Sequence, residues 1–173
     1  MVSGRCLGVR LDRSVASQGS CVLRPWPDDS TKLVGAGSWS AYWYNGYIIS
    51  SEIARGLDIF ELTPNTLLTQ NEIDAAKLVH FDYLNAQDQQ RLVWPASFVV
   101  ARAYVDQLAR SNGLPRARIT ATRDALSRAE QASGQARRDA LSRLATQLNT
   151  DAQTSSDQPK VRMLIAVVND LGK

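Results

Sequence analysis

The residues that could do chemistry are few. His80 is the only histidine, so any triad or dyad built on an imidazole must use it. It sits in Lys-Leu-Val-His-Phe-Asp, and the chain contains no Gly-x-Ser-x-Gly and no activated-cysteine context. A helix C-terminal or loop histidine is the simpler account of it. Cys6 and Cys21, with fourteen residues between them and no histidine nearby, are too few ligands for a tetrahedral zinc site. Whether they pair in an oxidising compartment or stay as two thiols is left open. Gly35-Ala36-Gly37 lacks the third glycine and the following helix of a phosphate-binding loop. The expectation is therefore no catalytic residue, no cofactor site and no metal site, and a protein that is not an enzyme.

Two other groups could bind rather than react. Glu52, Arg55 and Asp58 lie around one tight connection, where an arginine between two carboxylates would brace the turn or face a ligand. Bracing is the commoner use. Glu61, further along, should point to solvent. Trp39, Tyr42, Trp43, Tyr44 and Tyr47 form an aromatic cluster able to stack on bases or sugars. No lysine or arginine is interleaved with it, so packing within a small sheet is favoured.

Composition narrows the partners. At 173 residues, 44% hydrophobic and 21% charged, the chain is globular rather than disordered. The net charge of +3 is uneven: residues 1–92 hold 8 Lys/Arg against 10 Asp/Glu, and residues 93–173 hold 12 against 7. Ten of those 12 are arginines. A phosphate-binding face is one reading, but Asp106, Asp124, Glu130 and Asp139 are interspersed, which favours a solvated helix surface. No stretch approaches the ~20 apolar residues of a membrane span. Met1 to Arg24 carries arginines but no apolar core of a secretory leader.

The elements that would position these residues come next. Residues 1–31 read as irregular, with short apolar runs at 7–11 and 21–23 and an extended path through Pro25-Trp26-Pro27. Ala41-Tyr42-Trp43-Tyr44, Asn45-Gly46, Tyr47-Ile48-Ile49 predicts a β-hairpin, because Asn-Gly suits a two-residue turn with both φ positive. That turn sets Tyr44 opposite Tyr47, Trp43 opposite Ile48 and Tyr42 opposite Ile49. Tyr42, Tyr44, Tyr47 and Ile49 then share one face, and Trp43 and Ile48 the other. Leu57 to Leu62 supplies a third strand. Thr69-Gln70-Asn71-Glu72 is a capping box that should start a short helix ending near Leu78. His80 to Arg91 reads as a surface connection. Four amphipathic helices follow: one from Pro95 to Gly113, a second through Ile119, Thr122, Leu126 and Ala129 to Gly134, a third on Leu141, Leu144 and Leu148, and a fourth, capped by Ser156 or Asp157, on Val161, Leu164, Ile165, Val168 and Leu171. Short connections imply an up-down bundle.

Trp39 to Ile48, followed by Ser51-Glu52-Ile53-Ala54-Arg55-Gly56-Leu57-Asp58-Ile59-Phe60-Glu61-Leu62, resembles the closing blade of bacterial LVIVD-repeat β-propellers. The Arg-Gly-Leu-x-Ile-Phe-x-Leu phrase carries the likeness. The helical part from Trp94-Pro95 onward is similar to the small FIMAH domains at the C-termini of such proteins. The resemblance covers about residues 32–173 and implies a secreted or cell-surface binding protein without assigned catalysis. Only one blade is present where a propeller needs ~4–8, so the chain reads as the C-terminal part of a longer protein. Without a leader of its own, its localisation is otherwise unknown.

The expected fold is thus α+β: an irregular segment over 1–31, a β-meander with a short capped helix and linker over 32–92, and a helical bundle over 93–173. The expected function is a non-enzymatic interaction module with an unknown protein or surface ligand, free to self-associate through its exposed sheet. The aromatic faces, Trp43 and Ile48 or Tyr42, Tyr44 and Tyr47, are its candidate contact surface. The alternative is a small basic helical module binding nucleic acid without sequence preference, which the interspersed acids disfavour.

Overall fold

The computed structural model describes residues 4–5, 38–53, 56–85, 87–88 and 90–173. Cys6, Cys21, Pro25-Trp26-Pro27, Gly35-Ala36-Gly37, the two short apolar runs and Arg55 lie outside the described residues. The architecture is α+β, as the sequence pattern requires. Strands β1 (Gly4–Arg5), β2 (Ser38–Tyr44), β3 (Tyr47–Glu52) and β4 (Gly56–Glu61) precede helices α1 (Gln70–Ala76), α2 (Phe98–Arg110), α3 (Arg116–Gln131), α4 (Gly134–Thr154) and α5 (Gln158–Leu171).

The sheet is the expected antiparallel meander with one addition. Its order is β1-β4-β3-β2, and the two-residue β1 runs parallel to β4 with Gly4 opposite Phe60. Asn45 (φ 48°) and Gly46 (φ 94°) make the tight turn, both in the left-handed region. Tyr44 lies opposite Tyr47, Trp43 opposite Ile48 and Tyr42 opposite Ile49, the register that the Asn-Gly turn dictates. β4 continues it, with Ile48 opposite Phe60, Ile49 opposite Ile59 and Ser51 opposite Leu57.

The helices begin where local chemistry starts them. Thr69 accepts from the Glu72 amide, and the Glu72 carboxylate accepts from the Thr69 amide (2.8 Å), so both halves of the capping box form. The first bundle helix starts later than Pro95 suggests. Ser97 is its cap, accepting from the Val100 amide (3.1 Å), and Pro95 lies outside the helix. The serine satisfies an orphan N–H that a proline at the first position only avoids needing. Asp157 caps α5 by accepting from the Lys160 amide. Gly134, expected as the end of α3, instead opens α4 at φ 54°. Only a two-residue link, Ala132-Ser133, separates the helices there, and it needs a backbone that a side chain resists.

α2, α3, α4 and α5 form a closed ring of neighbours, each packing on the next and α5 returning to α2. Leu108, Leu126, Leu141, Leu148, Leu164, Val105, Val161 and Val168 are fully buried between them. Each such side chain contributes about 1.5–3 kcal/mol by leaving water. The α2–α3 and α4–α5 loops meet at one end, where Ser155 Oγ donates to the Gly113 carbonyl (2.6 Å) and Ser156 Oγ to that of Asn112 (3.1 Å). Short loops tied at the same end are the signature of up-down connectivity.

α1 joins this bundle rather than the sheet. It packs on α2, burying Ile73 and Ala75 while Val100 and Ala103 are buried on the α2 side. No strand packs against a helix among the described residues. The apolar stripes of the four helices are satisfied by one another and by α1, leaving none to spend on the sheet.

Candidate interaction surfaces

The sheet has two unequal faces. Trp43, Ile48 and Phe60 share one, with Ser50 buried beside them, and all three large side chains are half-buried. The other face carries Tyr42 (44% exposed), Tyr47 (46%), Leu57 (60%) and Ile59 (50%), with Tyr44 and Ile49 half-buried. Packing within the sheet was expected for the whole aromatic cluster. Tyr42, Tyr47 and above all Trp39, 77% exposed, escape it. A single sheet has only its own thickness to offer, and among the described residues no helix packs against it. Trp39 stands on β2, the outer strand of the sheet, which carries no charge and no proline from Ser38 to Tyr44.

The charged set around the β3–β4 connection is resolved in part. Glu52 pairs in register with Gly56, and Asp58 with Ser50 across the strands, which brings the backbones of Glu52 and Asp58 to one end of the sheet. Arg55 lies outside the described residues. Glu61 is not simply solvated: Lys77 Nζ lies 2.8 Å from its Oε1. That carboxylate raises the lysine pKa.

Among the described residues, Lys77 belongs to the place where the sheet meets the helical unit. Its aliphatic stem crosses the hairpin turn so closely that a Cβ on Gly46 would sit 3.1 Å from Lys77 Cγ. Next to it, Asn45 behaves as a surrogate peptide. Its Nδ2 donates to the Phe81 carbonyl (2.9 Å) and its Oδ1 accepts from the Phe81 amide (2.8 Å). Tyr44 Oη adds a long bond to the Asp82 carbonyl (3.4 Å). The Asn-Gly dipeptide therefore makes the turn and also anchors it. His80, next to Phe81, is exposed in the stretch after α1, consistent with a loop histidine.

Several charges of the helical unit are used to tie one helix to the next. Glu72, 8% exposed, takes a two-pronged contact from Arg110 (2.7 and 2.9 Å). Burial pushes the Glu72 carboxyl up, but the Arg110 guanidinium and the Thr69 amide outweigh it and hold the pKa at about 2. Asp106, also buried, accepts from Asn71 Nδ2 and Arg123, both at 2.8 Å. These bonds tie α1 to α2 and α2 to α3. Arg118 grips Asp151 between α3 and α4 (2.8 and 3.0 Å), and Arg102 pairs with Glu130 between α2 and α3. Arg102 lowers the Glu130 pKa. Arg137 donates to the carbonyls of Ala132 (2.9 Å) and Glu130 (3.2 Å), closing the end of α3, and lies 5.8 Å over the Phe98 ring. Sequence reading saw these residues as an interspersed surface. The Glu72–Arg110 pair spans 38 positions, and no local spacing announces it.

Among the described residues there is no group of three His, Cys, Asp or Glu side chains placed to hold a metal ion. No helix is long and apolar enough to cross a membrane. No family model, curated protein or solved structure matches the chain.

Proposed function

We propose that this chain is a non-enzymatic interaction module, the C-terminal part of a secreted or cell-surface protein of β-propeller type. Its meander serves as a blade awaiting neighbours, and its helices form a self-sufficient end piece. The observation that carries the proposal is the exposed apolar face of Tyr42, Tyr47, Leu57 and Ile59, on a sheet that no helix covers. Apolar side chains gathered on one surface mark a contact site more often than they mark accident. The LVIVD-like phrase from Arg55 to Leu62 supports the same reading, because a propeller blade is covered on its faces by adjoining blades. The interhelical use of Arg102, Arg110, Arg118 and Arg123 leaves less positive charge for a nucleic-acid surface than the count of arginines suggests.

The test is association of the isolated chain. Light scattering should report mass above the 19.0 kDa monomer, falling to the monomer when Leu57 and Ile59 are both replaced by threonine, which keeps strand propensity. The relevant pair is on the tyrosine side, since Trp43 and Ile48 occupy the better-covered face. A chain that stays monomeric at all concentrations would refute the exposed-face reading. Sub-micromolar, sequence-dependent binding of a DNA or RNA duplex at physiological salt would favour the alternative.

A further inference from the structure

The chain contains two Asn-Gly dipeptides, Asn45-Gly46 and Asn112-Gly113. Such pairs are chemically labile, because glycine lacks the Cβ that would shield its nitrogen. The Gly nitrogen gives up its proton to solvent base and attacks the asparagine Cγ. A C–N bond forms, the Cγ–Nδ2 bond breaks, and Nδ2 leaves as ammonia. Water then opens the resulting succinimide at either carbonyl, giving aspartate or isoaspartate. No oxidant or reductant is involved.

Exposure alone would select Asn112, which is exposed, over the half-buried Asn45. The structure reverses the order. At Asn112 the attacking atom is the restrained one. The Gly113 amide donates to the Leu108 carbonyl (2.8 Å), and a Cβ on this glycine would lie 2.6 Å from Leu108 Cδ2 and 3.2 Å from Asp157 Cβ. The Asn112 carbonyl is also held, by Ser156 Oγ (3.1 Å). Freeing that nitrogen means opening one end of the bundle core, against the fully buried Leu108. At Asn45 the restrained part is the carboxamide, held by two hydrogen bonds to the Phe81 backbone. Cyclisation makes Cγ tetrahedral and removes Nδ2, so both bonds must first be released. That release involves only the joint between a hairpin turn, crossed by the flexible Lys77 stem, and a loop outside any helix. Local opening of this kind is far less costly than opening a packed core.

We propose that Asn45 is a self-modification site, a one-way latch between the sheet and the helical unit. While the latch is closed the amide is protected; when it opens, the Gly46 nitrogen can close on it. The product cannot re-latch. An aspartate at position 45 has no N–H for the Phe81 carbonyl and sets a carboxylate against it. An isoaspartate also adds a backbone carbon to a two-residue turn whose geometry sets the register of β2 and β3.

The experiment is peptide mapping by mass spectrometry after ageing the full chain at mildly alkaline pH, scoring both sites in one sample. Conversion at Asn45 should exceed that at Asn112 by about tenfold or more, the consequence of the cheaper local opening. In strong denaturant the two should convert at similar rates. The double variant Tyr44→Phe with Lys77→Ala, which loosens the joint and uncovers Gly46 while leaving both dipeptides intact in sequence, should speed Asn45 and leave Asn112 unchanged. Asn45→Asp should raise hydrogen exchange at the Phe81 amide while the α2–α5 amides stay protected. Faster conversion at Asn112, a site bias that persists in denaturant, or an Asn45 rate indifferent to the loosened joint would each overturn the proposal.

Discussion

The docking of α1 should depend on the charge of Glu72, and Glu72→Gln isolates that charge. Glutamine keeps the reciprocal bond of the capping box, since it is accepted at the third helical position, but it cannot form an ion pair with Arg110. Folding lowers the Glu72 pKa from 4.5 to about 2. A lowered carboxylate pKa contributes stability that is fully present above the unfolded value and is lost as pH falls through the folded one. The window is therefore from about pH 4.5 down to about pH 2. The shift corresponds to at most about 3 kcal/mol. Because the Arg110 side chain is 36% exposed, solvent screening brings the expected loss to about 2 kcal/mol. Hydrogen exchange of the Ile73 to Lys77 amides reads α1 directly, and urea unfolding followed by circular dichroism reads the whole chain. At neutral pH the variant should expose the α1 amides while changing α3 to α5 little. Lowering the pH across the window should bring the wild type toward the variant, whose own α1 protection should change less. Equal α1 protection in the two proteins at neutral pH would refute the reasoning, as would an unchanged pH dependence in the variant.

Other consequences follow from single buried groups. Thr122 is 1% exposed and its Oγ1 makes no hydrogen bond among the described residues, so Thr122→Val should raise stability by about 1 kcal/mol, seen as a higher urea midpoint. Leu148, fully buried on α4, should cost about 2–5 kcal/mol when cut to alanine. Gly113→Ala should destabilise by about 1–3 kcal/mol, because the new methyl would press on Leu108. A midpoint no lower than wild type in either of these last two variants would contradict the packing described.

The sequence by itself determined what depends on neighbours a few positions apart. Asn45-Gly46 dictated a turn with two positive φ angles, and with it the pairing of Tyr44 with Tyr47 and the faces of the residues from Tyr42 to Ile49. Thr69 and Glu72 satisfied each other's backbone donors within one turn, so the start of α1 could be placed to the residue, though its end at Ala76 could not. The apolar spacing of Val161, Leu164, Ile165 and Val168 defined a buried stripe whatever its partner. Helix starts were less legible, because Ser97 and Pro95 both make acceptable beginnings and only the cap bond decides between them. Tertiary structure alone decided which surfaces were spent. Arg110 reaches Glu72 across 38 positions and Asn45 reaches Phe81 across 36. Such pairs form because chain packing brings them together, not because their own types require it. The same holds for the sheet's exposed side. Alternation showed that both faces are apolar, but covering one requires a surplus apolar surface elsewhere, and the helices had already buried theirs in one another.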